Sequence, residues 1–384
     1  MADFIPLDYA TLRLIWWALL GLLLLGFAVM GGFDLGIGAL LPFVARTDQE
    51  RRLVVNTVGP TWEGNQVWLI VGAASAFAAF PPLYAVSFSG LYLAMFVILF
   101  ALILRPVGFK FRGKVADPRW RQSWDWMLFV GGAVPALLFG VAVGNVQLGV
   151  PFHFEPATLR PVYTGGFLAL LSPFALVCGL VSLSLLVAHG AAALVTKTDG
   201  PVARRAARYG SLSALVAAVL LVAAGAWVAT RLPGYRIDSI IDGNGASNPL
   251  RKSVHAAAGL WLHNYRALPV LWLAPLGAVA GALLGAYFLR ARRGAAAVAC
   301  TTLAVAATVL TFGAAVFPFL LPSSTVPDAG LTLWDASSSH LTLWVMLLVT
   351  ATLLPLVVLY TAWVYRVLGG KVSADSLEDN PNAY

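Results

Sequence analysis

Two carboxyl groups interrupt stretches of sequence that are otherwise apolar. Asp34 lies in Gly32-Phe33-Asp34-Leu35-Gly36-Ile37-Gly38, and Glu63 in Pro60-Thr61-Trp62-Glu63-Gly64-Asn65-Gln66-Val67-Trp68. A carboxyl group in a low-dielectric setting can take up and release a proton, so the chemistry open to these two is a proton relay. The competing role is mechanical: each could cap a helix or anchor a loop by pairing with Arg46, Arg51 or Arg105. The residue types leave the two roles level. Arg105 stands before Pro106 at the end of an apolar run, where it either snorkels to an interface or serves as countercharge for Glu63. Asp125, in Trp124-Asp125-Trp126, and Asp335, in Trp334-Asp335-Ala336-Ser337-Ser338, stand at or before the starts of apolar runs and read as helix N-caps.

Other chemistries find little footing. A bis-histidine haem needs two facing ligands within the membrane. Of the five histidines only His189 lies well inside an apolar run, where it reads as a hydrogen-bonded core residue. His340 is near the start of the last run, and His153, His255 and His263 belong to loops. Cys178 and Cys300 sit inside apolar runs, which indicates neither a disulfide framework nor a cysteine metal site. No Walker loop, dinucleotide fingerprint or zinc-protease helix occurs. Most of the 13 tryptophans, among them Trp16, Trp17, Trp120, Trp124, Trp126, Trp334 and Trp344, cluster where membrane interfaces are expected.

The elements that must hold these groups follow from composition. Of 384 residues, 60% are hydrophobic and 11% charged, with a mean hydropathy of +0.82. A soluble chain carries about 25% charged residues. So few charges cannot cover a water-facing surface, which excludes a soluble enzyme, a nucleic-acid binder and a disordered protein. A bilayer core takes about 20 apolar residues per helix. Runs free of Asp, Glu, Lys and Arg cover 14–33, 64–104, 126–154, 161–196, 209–230, 267–289, 294–327 and 336–365. Pro81-Pro82 break the second run into two spans, because two prolines remove two amide donors. The expectation is an all-α polytopic membrane protein of about nine transmembrane helices, a single integral membrane domain over 1–384. Helices 1–4 cover about 11–154, helices 5–8 about 161–327 and helix 9 about 336–366, with an extracytoplasmic loop at 231–266. The first run is too long for the apolar part of a cleavable signal peptide.

The formal charge of +8 reflects sidedness. Of the 25 Lys and Arg, 18 fall in alternate connections (46–52, 105–121, 197–208, 290–293) and the C-terminal tail, against 7 on the opposite side. The positive-inside rule then puts the N-terminus outside and the C-terminus in the cytoplasm. Gly31-Gly32-Phe33 and Gly165-Gly166-Phe167 form a faint echo, which either a four-helix repeat or chance explains.

Seven segments carry a resemblance that hydropathy cannot supply. They are GFDLGIG (32–38), PTWEGNQVW (60–68), RPVGF (105–109), WRQSWDW (120–126), GNVQLGVPF (144–152), FPFLLPSS (317–324) and LTLWDASS (331–338). In these the chain resembles, from end to end, subunit II of the bacterial cytochrome bd quinol oxidases. The resemblance implies a multi-pass protein of the bacterial cytoplasmic (inner) membrane, in a heterodimer with subunit I, within a complex that couples quinol oxidation to reduction of dioxygen. Haems b and haem d then belong to subunit I, as does the main quinol loop. This chain is expected to be haem-free, to bind no metal and no nucleic acid, and to contribute no catalytic residue of its own. It supports the haem centre and adds to the substrate routes. The motif acid Glu63, with Asp34, falls on the proton route, and Trp68 at the entrance of the dioxygen route; Trp62, Asn65 and Gln66 are their motif neighbours. Gly31 stands where some relatives have an acid, so Asp34 carries the load alone or the path differs. A structural quinone or lipid, a small third subunit, the quinone type and the response to cyanide stay open. The other class of function is a secondary transporter or channel. Such proteins share rare buried acids and broken helices, but here the acids lie near membrane ends.

Overall fold

The structure, a computed structural model, describes residues 5–373. The described helices are α1 (Tyr9–Val44), α2 (Asp48–Val58), α3 (Trp62–Ala79), α4 (Pro81–Gly90), α5 (Tyr92–Phe111), α6 (Pro118–Leu148), α7 (Pro173–Lys197), α8 (Gly200–Thr230), α9 (His263–Ala267), α10 (Leu273–Arg290), α11 (Gly294–Val316) and α12 (His340–Val367). Among the described residues eight helices are long and apolar enough to cross a membrane, or nine where the pair α3 and α4, bent by 119°, counts as one span. The all-α polytopic expectation holds. The proline pair does break the long run, but into three helices. Pro81 and Pro82 open the ten-residue α4, and the next crossing is α5.

Several boundaries differ from those expected. Asp34 does not end the first helix, because α1 continues to Val44 and tolerates Pro42 within it. What carries α1 onward is a close crossing with α7. A Cβ on Gly36 would run into the Leu186 carbonyl oxygen, and one on Gly190 would come within 2.6 Å of the Gly36 carbonyl carbon. Small residues at both positions let the two backbones touch. Asp125 does not cap α6. That helix begins at Pro118, and Asp117 is the cap, its side chain accepting from the Arg119 N–H. Asp335 does not cap α12, where Ser339 accepts from the Thr342 N–H. Gly165-Gly166-Phe167 precedes α7, whereas Gly31-Gly32-Phe33 is helical, so the echo has no common conformation.

The two ends of the bundle are built differently. At one end α2 is a surface helix opened by a capping box: Thr47 accepts from the Glu50 N–H, and Glu50 accepts from the Thr47 N–H. Ion pairs tie it down. Asp48 meets Arg112 and Arg121, each at 2.8 Å, Arg51 meets Asp125 at 2.8 Å, and Glu50 pairs with Arg205 at the start of α8. The tail joins the same end through Lys371 and Asp199 at 2.7 Å. Connections that share the Lys and Arg excess therefore lie together.

The opposite end carries three antiparallel two-stranded ribbons, β1–β2 (Phe152–Phe154 with Pro161–Tyr163), β3–β4 (Pro233–Ile237 with Val254–Ala258) and β5–β6 (Phe319–Leu321 with Leu331–Thr332). The 231–266 loop is thus partly ordered as a ribbon, and the buried Tyr235, Trp261 and Phe319 pack beneath it. Arg13 of α1 is fully buried there. Its guanidinium donates to the carbonyls of Gly243 and Gly245 at 2.6 and 3.0 Å, and to the hydroxyls of Ser247 and Ser337 at 2.9 and 2.7 Å.

Through the middle, α1 packs on α3, α6, α7 and α11. By contrast α12 buries only Leu343.

Candidate functional site

Asp34 sits in the interior, with 2% of its surface exposed, at the point where α1 meets α3 and α5. Asn65, in the first turns of α3, donates from Nδ2 to Asp34 Oδ2 at 2.9 Å. The Tyr365 hydroxyl of α12 donates to Asn65 Oδ1 at 2.7 Å. From α5, Arg105 Nη2 lies 3.9 Å from the same Asp34 oxygen. Its stem lies along α6 at Gly131, where a Cβ would stand 2.8 Å from Arg105 Cγ. Arg105 also lies over the Trp62 ring, 6.0 Å from its centroid. Among the described residues, Asp34 Oδ1, Arg105 Nη2 and Trp62 Nε1 are buried without a hydrogen-bond partner.

A small cavity of about 10 Å³ adjoins the pair, lined by Asp34, Arg105 and apolar groups that include Val54, Val55 and Val58 of α2. That volume is about one water molecule. The site is therefore a buried carboxylate with one oxygen held by an amide and the other without a partner, next to a small cavity and beside a guanidinium too distant for a direct hydrogen bond. Such a carboxyl can exchange a proton without dismantling a strong pair.

The residues singled out from the sequence separate into two groups. Asp34, Asn65, Arg105 and Trp62 come together. Glu63 does not join them: its side chain is exposed, and among the described residues nothing pairs with it. Arg105 is consequently the countercharge of Asp34, not of Glu63, because Glu63 and Asn65 lie on different faces of α3. Trp68, part-buried, packs over Gly26 of α1. Gln66 leaves Oε1 buried without a partner. Asp125 belongs to the α2 end, where it accepts from Arg112 Nε at 2.6 Å and from Arg51. Asp335 closes a turn at the ribbon end, accepting from the Thr332 N–H and hydroxyl and pairing with buried Lys252 at 2.8 Å. Tyr365 was not anticipated. In the sequence it is one of several aromatic residues near the end of a span, where an interfacial belt accounts for it equally well.

A bis-histidine haem would need two facing histidine ligands. His189 Nδ1 is engaged with Thr301 at 2.9 Å and Nε2 with the Val29 carbonyl at 3.1 Å. His340 Nε2 meets the Leu7 carbonyl at 2.8 Å, and His153, His255 and His263 lie at the ribbon end. These positions do not fit a pair of axial ligands.

A bundle of this size, with apolar helices long enough to cross a membrane, a buried carboxylate–guanidinium couple and a ribbon-capped end, defines a polytopic α-helical membrane protein. The chain belongs to the family of subunit II of cytochrome bd terminal oxidases, whose model matches residues 12–368. It is 45% identical over 377 residues to the cytochrome bd-I ubiquinol oxidase subunit 2 of Escherichia coli K12, covering 98% of this chain and 99% of the relative. A probable cytochrome oxidase subunit 2 of Haemophilus influenzae is 44% identical over the same length and coverage. The cytochrome bd ubiquinol oxidase subunit 2 of Bacillus subtilis is 30% identical over 364 residues, 95% of this chain and 98% of that one. The fold is shared with a chain of the bd oxidase from Geobacillus thermodenitrificans, at a TM-score of 0.66 and 12% identity, covering 95% of this chain and 99% of the other. The chain is thus a multi-pass inner-membrane subunit of a terminal oxidase, an oxidoreductase of the respiratory chain. The transporter or channel alternative gives way to this assignment.

Proposed function

We propose that this chain is the haem-free partner of a haem-bearing subunit I in a quinol:dioxygen oxidoreductase, and that it supplies Asp34 as a proton-handling carboxyl. The observation that carries the reading is the geometry of Asp34: buried, fixed at one oxygen by Asn65, unpartnered at the other, and lining a small cavity with Arg105. Haems b and d then reside in subunit I, a reading supported by the engagement of both His189 nitrogens. The uneven sharing of Lys and Arg supports an outer N-terminus and a cytoplasmic C-terminus, which makes the α2 end cytoplasmic. Exposed Glu63 is the acceptor nearest water in this scheme, two positions before the Asn65 that holds Asp34. Trp68 on the same helix lies on the dioxygen route. The exposed apolar sides of α5 and α12 are open to subunit I and to lipid.

The test is Asp34→Asn in the assembled complex. Loss of a general acid–base group lowers turnover by about 10²-fold or more, and haem content should stay normal because the shape is kept. Glu63→Gln run alongside should have the smaller effect, since an exposed site is replaceable by water. Unchanged oxygen consumption in Asp34→Asn would reject the relay; loss of haem would assign Asp34 a structural role instead.

A further inference from the structure

The last helix reaches the buried acid by a single chain of hydrogen bonds. The Asn65 amide uses both of its polar atoms, giving a hydrogen to Asp34 Oδ2 at 2.9 Å and receiving one from Tyr365 at 2.7 Å. An amide can be turned over with little change in shape. Turned over here, its oxygen would face a carboxylate oxygen and its NH2 would face a hydroxyl. The carboxylate excludes that alternative, since two acceptor oxygens cannot face each other, and the tyrosine O–H, donating to Oδ1, holds the amide in the orientation whose NH2 points at Asp34. With Oδ2 so held, Oδ1 of Asp34 is left buried without a partner in a residue that lines the cavity.

The placement of Tyr365 adds a mechanical consequence. Leu343 is the one buried residue of α12, and 22 positions separate it from Tyr365, about 33 Å along the axis at 1.5 Å per residue. At the far end the ring stands edge-on to Phe33, 6.4 Å between centroids, next to Asp34 in sequence. The tail adds ties at that end: Lys197 Nζ donates to the Leu368 carbonyl at 2.7 Å, the Val372 N–H donates to the Lys197 carbonyl at 2.8 Å, and Lys371 pairs with Asp199 at 2.7 Å.

We propose that Tyr365, acting through Asn65, is a positioning residue that aims the Asp34 carboxyl at the cavity it shares with Arg105. The proposal rests on the reading of Asp34 as a proton carrier. The groups that face Asp34 are Arg105 from α5, Asn65 from α3 and Tyr365 from α12; α2 and α6 contribute the apolar Val54, Val55, Val58 and Leu128 to the cavity. On α7, His189 directs its nitrogens to Thr301 and Val29.

The experiment uses the assembled, haem-loaded oxidase carrying Tyr365→Phe, which deletes one oxygen atom. Two readouts are taken: the pH profile of quinol-supported oxygen consumption, and the carboxyl band that Asp34→Asn abolishes in the reduced-minus-oxidised infrared difference spectrum. We expect turnover to fall roughly fivefold to tenfold, the profile to move by about half to one pH unit (the size of one hydrogen bond), and the infrared band to shift. In the Asp34→Asn background, Tyr365→Phe should add nothing further. Asn65→Leu, which also removes the direct hydrogen bond to Asp34, should move the profile in the same direction by at least as much, which keeps the proposal testable if the first variant assembles poorly. An unmoved band and profile in both variants, or independent effects in the double variant, would overturn it. If the band shifts while Asp34→Asn leaves turnover intact, positioning stands and the relay reading falls.

Discussion

Arg105 and Asp34 face each other across 3.9 Å, a distance at which attraction persists but no hydrogen bond forms. Both are buried, so removing one strands the other, a loss typically of about 3–5 kcal/mol for a buried pair. Arg105→Leu should therefore destabilise the assembled protein. Asp34→Asn in the same chain should recover part of that loss, whereas Glu63→Gln should recover none; thermal unfolding of the single and double variants decides, and equal recovery by Glu63→Gln would contradict the pairing. At this scale the sequence was informative about membership and silent about partnership. Asp34, Arg105, Asn65 and Trp62 stand out because polar groups are rare in apolar runs. Which acid Arg105 meets depends on how α5 lies against α1 and α6, set by packing at Gly131 that no local pattern announces. Glu63 and Asn65 sit two positions apart in one motif, yet helical geometry turns one outward and the other inward. Tyr365 is legible only from the fold, because its partner lies 300 positions away.

The α2 helix is held by charges at its first turn, and that makes its attachment sensitive to acid. Burial alone would push the Glu50 carboxyl up. The hydrogen bonds from the Arg46 and Thr47 N–H groups and from the Arg205 guanidinium outweigh it and hold the group below its ordinary value of 4.5. A carboxyl lowered in the folded state contributes stability that is complete above its unfolded value and disappears as pH falls through the folded one. Amide exchange in α2 should accordingly accelerate as pH is taken below about 4.5, after correction for intrinsic rates. In Glu50→Gln that dependence should flatten; a wild-type profile in the variant would remove Glu50 from the clasp. Among elements, Pro81-Pro82 was the boundary best read in advance, because a proline pair acts locally. The true ends of α1 and α6 were not, since hydropathy falls before the helix does: Asp34 and Asp125 interrupt apolar runs but leave backbone hydrogen bonding intact. The ribbons escaped notice because strands of two to five residues are too short for a period to show.

Charge distribution organises the whole molecule. Ion pairs gather the Lys- and Arg-rich connections at one end, and the sequence placed those same connections on one side of the membrane. If that side is cytoplasmic, a cysteine introduced in 113–117 should resist impermeant maleimide added to intact cells, and one in 239–248 should react. The reverse pattern would invert the topology. Eight apolar crossings and the bent pair α3–α4 were readable from length and apolarity, but the order in which they pack was not, since it rests on contacts such as Gly36 against Gly190. The ribbon end adds a constraint of timing. Arg13 belongs to the first helix synthesised, while its acceptors at Gly243, Gly245, Ser247 and Ser337 arrive 230 to 324 positions later. A guanidinium is costly to bury before its acceptors exist. The first helix is thus expected to keep that end in water through most of translation, and the ribbon end closes last, when the earliest and latest segments of the chain meet.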